Sequence, residues 1–150
     1  MKALDHKTYR DIEWHLHNLP KLLRNIQECR SEILMGSVGT DYNTPKGHSK
    51  HADSTAQKGC MLADGDRKMQ NYLGWVNAIQ STNSFFRNTQ EASIITHFYF
   101  SSTAKIGEVA EMLKLNRNTV SRLRDNVVYR CAFYAAASGL IKMDGEENGR

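Results

Sequence analysis

The stretch EVAEMLKLNRNTVSRLRD, from Glu108 to Asp125, restricts the fold more than any other part of the chain. Apolar residues recur at helical spacing on both sides of a short polar break, which predicts two helices joined by a tight turn. Ala110 is small enough for the second helix to cross the first closely, and Val109, Leu113, Leu115, Val120 and Leu123 fall where such a unit must close on itself. Asn116 stands just before the second apolar period, where its side-chain oxygen can accept from the amide of Asn118 or Thr119 and start a helix. The turn position often held by glycine is Lys114, so the backbone must turn there without glycine's freedom. These features predict a helix-turn-helix over residues 106–125.

Helical geometry directs Arg117, Asn118, Ser121, Arg122 and Asp125 away from the interior, toward where a DNA major groove would lie. Their chemistry suits base reading: Arg takes guanine through two hydrogen bonds, Asn takes adenine, and Ser or Thr, here Ser121 and Thr119, adapts to base or phosphate. Asp125 either accepts from cytosine or orients Arg122. Lys105, Lys114 and Arg124 lie nearer the edges and suit phosphates, giving sequence-independent affinity that weakens with salt. The net charge is +4 and the pI about 9.0. From Ala104 to Cys131 six bases face three acids, so most of that excess lies in or beside the motif. The competing reading is two packed helices with a solvated basic face. Capping residue, turn length, small crossing residue and local charge agree independently on DNA.

Beyond the motif, Val127, Cys131 and Tyr134 continue the apolar stripe and Gly139 can end the helix, which predicts one long recognition helix from Arg117 to Ser138. The alanines near its end serve either the core or a second subunit. Upstream, Tyr9, Ile12, Leu16, Leu19, Leu23, Ile26 and Ile33 recur at steps of three and four, a heptad seam with Arg30 at the missed position. Pro20 interrupts it, so one helix should end near Asn18 and another start at Pro20, stopping at Gly36. Residues 37–65 are polar and read as a flexible linker separating a helical arm, 1–36, from a main domain, 66–141, with 142–150 as a tail. In that domain Met69, Tyr72, Leu73, Val76 and Ile79 form a stripe from about Asp66. Asn88 and Glu91 suggest a capping box for a further helix with Ala92, Ile95, Phe98 and Tyr99 on its apolar face. The fold class expected is all-α, with no major sheet.

Several functions are disfavoured. No run of about 18 apolar residues and no signal-like N-terminus occurs, which points to a soluble cytoplasmic protein with no membrane partner. The 3 cysteines, Cys29, Cys60 and Cys131, are far apart and read as ordinary thiols. His48, His51 and Cys60 lack a fourth ligand at short spacing, and His15 and His17, two apart on a helix, diverge, so no metal or other cofactor is expected. No phosphate-cradling Gly loop, nucleophile elbow or carboxylate cluster is present at usable spacing, so the chain does not read as an enzyme.

The segment NTQEASIITHFYFSSTAKIGEVAEMLKLNRNTVSRLRDNVVYRCAFY, Asn88 to Tyr134, resembles the C-terminal helix-turn-helix domain of bacterial sigma factors. The N-terminal hairpin around Pro20 ending in RSEILMG, the polar linker and the Met69 to Ile79 helix extend the likeness over most of the chain to RinA-type phage transcriptional activators. That resemblance implies a bacterial host cell and a late-gene regulator of a prophage, switching on packaging and morphogenesis genes. It also implies promoter DNA as partner, with RNA polymerase or a second copy, a homodimer, contacted by other surfaces. Two alternatives stand beside it. One is a small terminase-like packaging subunit, although there the DNA-binding unit generally precedes the oligomerising helices and here the order is reversed. The other is an adaptor that inhibits a host factor through the heptad arm.

Overall fold

A computed structural model describes residues 4–38, 51–101 and 105–143, and the side chains among them except those of 36–38 and 51–63. All the described secondary structure is helical: α1 (His6–His17), α2 (Leu19–Val38), α3 (His51–Phe85), α4 (Gln90–Ile94) running on into π-helical turns (Ile95–Phe100), α5 (Ile106–Leu113) and α6 (Arg117–Ala137). The all-α class expected from the apolar periodicity is what is observed.

Asp5 starts α1. Its backbone is extended and its carboxylate accepts from the amides of Lys7 at 2.9 Å and Thr8 at 3.0 Å, pairing two donors that a first helical turn leaves free. Asn18 ends the helix, its side-chain amide donating to the Trp14 carbonyl at 2.7 Å. Pro20 then falls in the first turn of α2, where a missing N–H costs nothing. The break lies where the sequence placed it, and the seam beyond it departs at one position. Leu19 packs on the core and Ile26 is buried, as the heptad counted through Pro20 requires, but Leu22 is buried where that count names Leu23, which is 44% exposed. A seam can step by three or by four at each turn, and from Leu19 it steps by three to Leu22 and then by four to Ile26.

Two boundaries also differ. α2 continues through Gly36 to Val38, because a helical glycine costs only about 1 kcal/mol relative to alanine. α3 begins at His51 rather than near Asp66, so the second half of the expected linker is helical. Ala52, Ala56, Gln57, Lys58, Met61, Leu62 and Ala63 are good helix formers even where little of the segment is apolar. Residues 39–50 of that linker lie outside the described residues.

The capping box expected at Asn88 is absent. Asn88 takes a left-handed conformation, φ 63°, which asparagine tolerates better than most residues, and so closes the turn after α3 instead of opening α4. Thr89 occupies the cap position and donates its hydroxyl to the Phe86 carbonyl at 2.6 Å. Glu91 accepts from the Asn126 side chain at 3.2 Å, tying α4 to α6.

One apolar cluster holds all the helices together. It includes Ile12 and Leu16 of α1, Leu22 and Ile26 of α2, Trp75 and Ile79 of α3, Tyr99, Val109 of α5, and Val127, Cys131 and Ala135 of α6. The N-terminal helices are thus built into the core of the motif-bearing region rather than standing apart as an arm. His15 stacks on Trp75 with centroids 3.8 Å apart and donates through Nδ1 to the Asp11 carbonyl at 2.7 Å, while His17 lies against Phe98 and Tyr99. Burial holds both imidazoles below their ordinary pKa range. Of the alanines near the end of α6, Ala132 and Ala135 belong to the core. The Cys131 thiol is fully buried, and desolvation pushes its pKa up to about 12, so it is unreactive.

α6 closes at Gly139, φ +73°, with Leu140 N–H donating to the Ala135 carbonyl at 2.9 Å and Gly139 N–H to Ala136 at 3.0 Å. The chain then folds back so that Leu140 covers Gly74 of α3, where a Cβ would approach the leucine to 2.9 Å.

Candidate nucleic-acid interface

α5 begins with Glu108 reaching back to accept from the Lys105 amide at 3.1 Å. It ends at Lys114, which adopts the left-handed conformation, φ 53° and ψ 43°, that the turn demands of a glycine. Leu115 N–H donates to the Ala110 carbonyl at 2.9 Å and Lys114 N–H to Glu111 at 3.2 Å, satisfying two terminal carbonyls. Asn116 is extended, and its side-chain oxygen accepts from the Asn118 amide at 3.1 Å to start α6. Val109, Ala110, Val120 and Leu123 are buried between the two helices, with Leu113 and Leu115 half-buried around the turn. The geometry is that of a helix-turn-helix with a turn of Lys114, Leu115 and Asn116.

Lys114 carries strain that glycine would not. Lys114→Gly is expected to raise the unfolding free energy by about 1 kcal/mol, the usual cost of a left-handed non-glycine residue. Urea unfolding of the two proteins side by side measures it, and an unchanged or lower unfolding free energy would show that Lys114 is not strained.

Lys105, Lys114, Asn116, Arg117, Asn118 and Arg122 are exposed, whereas Thr119 and Ser121 are half-buried. Arg117 lies back across α5, where a Cβ on Gly107 would come within 2.8 Å of its Nη2. Glycine at 107 therefore gives the guanidinium room to rest there, against α5 rather than extended outward.

Two assignments made from the α6 sequence change. Arg124, expected at a phosphate, instead pairs with Glu13 of α1: Nε donates to Oε1 at 2.6 Å and Nη2 to Oε2 at 3.2 Å. Its guanidinium also stands over the rings of Tyr9 and Phe98, 5.6 and 5.7 Å from their centroids. Burial disfavours the cation, but Glu13 more than offsets this and the Arg124 pKa is raised. Tyr99 donates its hydroxyl to the same carboxylate at 3.0 Å, and its own pKa is raised by burial and by Glu13. Asp125, exposed, accepts from the Tyr9 hydroxyl at 2.6 Å rather than orienting Arg122. Burial and then this bond raise the Tyr9 pKa. The cause in both cases is α1, which packs along α6 and offers Glu13 and Tyr9 where solvent or DNA was expected. These two residues, one helical turn apart, are the part of the site the sequence reading missed, and no local signal pairs them with residues more than a hundred positions away.

The chain matches no family model, no curated protein and no solved structure. Among the described residues no group of three or more His, Cys, Asp or Glu side chains could hold a metal ion, and no helix is long and apolar enough to cross a membrane. The side chains of His48, His51 and Cys60 lie outside the described ones.

Proposed function

We propose that the chain is a sequence-specific double-stranded-DNA-binding protein that regulates transcription from a promoter-proximal site. The observation that carries this reading is the capped α5–turn–α6 unit, which leaves Asn118 and Arg122 exposed on the first turns of α6 with Lys105 and Lys114 at its flanks. Asn118 and Arg122 read base edges once Arg117 has left α5 to join them, and the lysines neutralise phosphates. The likeness of Asn88 to Tyr134 to sigma-factor helix-turn-helix domains, and of the longer arrangement to phage activators, narrows the role to switching on late genes for packaging and morphogenesis. Activation then requires a further surface for RNA polymerase or a second copy.

Selection of bound duplexes from a random pool tests the reading. The wild-type protein should enrich one motif. Arg122→Ala should lose about 1–3 kcal/mol of discrimination at one base pair while keeping its affinity for mixed-sequence duplex within a few-fold. Equal losses on both DNAs would remove Arg122 from base reading. Salt-sensitive binding without any motif would favour a packaging role, and no binding at all would overturn the proposal.

A further inference from the structure

We propose that α1 forms a second wall of the DNA interface, with Arg10 as a phosphate contact. The inference rests on the DNA-binding reading above and extends it to an element outside the helix-turn-helix.

The Tyr9 hydroxyl, 2.6 Å from Asp125, fixes the start of α1 against the third turn of α6, on the side that carries Asn118 and Arg122. Arg10 is the next residue and is exposed. At about 100° per residue, Arg10 and His6 lie on the flank of α1 shared with Glu13 and His17, and Lys7 lies about 60° further round, opposite the Ile12 and Leu16 stripe and toward solvent. That flank faces α6 and its neighbours, since Glu13 reaches Arg124 and His17 reaches Phe98 and Tyr99.

Arg10 has no ion-pair or hydrogen-bond partner among the described residues, because every nearby acid is engaged elsewhere. Asp5 caps α1, Asp11 lies 3.7 Å from His15, and Glu13 holds Arg124 and Tyr99. The cation that α6 itself offers beside Asp125 is Arg124, and Glu13 has taken it. A phosphate strand passing this edge would meet the Asp125 carboxylate, while Arg122, one turn earlier on α6, is directed to base edges. Arg10 supplies the compensating charge, with a guanidinium fork suited to phosphate oxygens. It stands on a helix flanking the recognition helix, so its contact is with the backbone and carries no sequence information.

The test titrates a labelled mixed-sequence duplex with the full chain at several salt concentrations, comparing wild type, Arg10→Ala and Lys7→Ala, which remove the same charge from the α6 flank and from the solvent-facing side of α1. Arg10→Ala should weaken binding roughly threefold to tenfold at low salt and reduce the slope of log affinity against log salt by about 0.9, while Lys7→Ala keeps the wild-type slope. Arg10→Gln, which retains much of the side-chain stem, should reproduce the loss, and thermal melting of all three variants should match wild type. A wild-type slope for Arg10→Ala, or equal shifts for Arg10→Ala and Lys7→Ala, overturns the second wall and leaves the helix-turn-helix reading intact. Failure of the wild-type chain to bind any duplex overturns both.

Discussion

Glu13→Ala is expected to lower the unfolding free energy by about 2–4 kcal/mol, far more than removal of a surface carboxylate. Glu13 and Arg124 keep only 16% and 25% of their side-chain surface exposed, and the carboxylate takes three hydrogen bonds, two from the guanidinium and one from Tyr99. Removing it leaves a cation and a phenol hydroxyl without partners beneath α1, and unmet polar groups cost more than the bonds themselves contribute. Glu13→Gln keeps one acceptor oxygen and should cost roughly half as much. A double-mutant cycle with Arg124→Ala isolates the pair: the double variant should be less destabilised than the sum of the single ones by about 1–3 kcal/mol. Strict additivity in urea unfolding would mean that α1 is held on α6 by its apolar residues alone.

The Glu13–Arg124 pair also shows which parts of this molecule could be read from sequence. The helix-turn-helix is local: Ala110, the Lys114 turn and the Asn116 cap lie within seven residues of one another, and each has a chemical signature that survives without knowledge of the fold. The break at Asn18 and Pro20 is legible for the same reason, as is the end of α6 at Gly139. Arg124 was not legible, because an arginine on the flank of a basic helix has the same sequence signature whether it meets phosphate or a carboxylate brought from the other end of the chain. Asn88 is ambiguous in sequence because asparagine serves both as a helix cap and as a left-handed turn residue, and the choice depends on how α3 ends. The start of α3 is hard to read because the polarity of residues 51–65 hides their helix propensity. An N-terminal arm is suggested only by that polarity, and the burial of Ile12, Leu16, Leu22 and Ile26 in the common core removes it.

The register of α2 yields the sharpest contrast between two adjacent positions. Leu22 is 1% exposed within the shared core and Leu23 is 44% exposed, although a heptad counted through Pro20 assigns Leu23 to the buried seam. Leu22→Asp forfeits the packing of a buried leucine, about 2–5 kcal/mol, and adds an unpaired carboxylate in an apolar site at a cost of several more. Domains of this size are stable by only about 5–15 kcal/mol, so the variant should have lost its cooperative thermal transition. Leu23→Asp exchanges an exposed leucine for a solvated charge and should melt within a few degrees of wild type, at a cost of about 1 kcal/mol or less. Circular dichroism melting of the two variants decides between the registers: a folded Leu22→Asp beside an unfolded Leu23→Asp would restore the uninterrupted heptad. Mass in solution adds a second reading, because a smaller assembly for a well-folded Leu23→Asp would place Leu23 at a contact between two copies. With Leu22 facing the core shared by all the helices, α2 is fixed to the body that carries α6, and its exposed leucine is left free for whatever lies outside it.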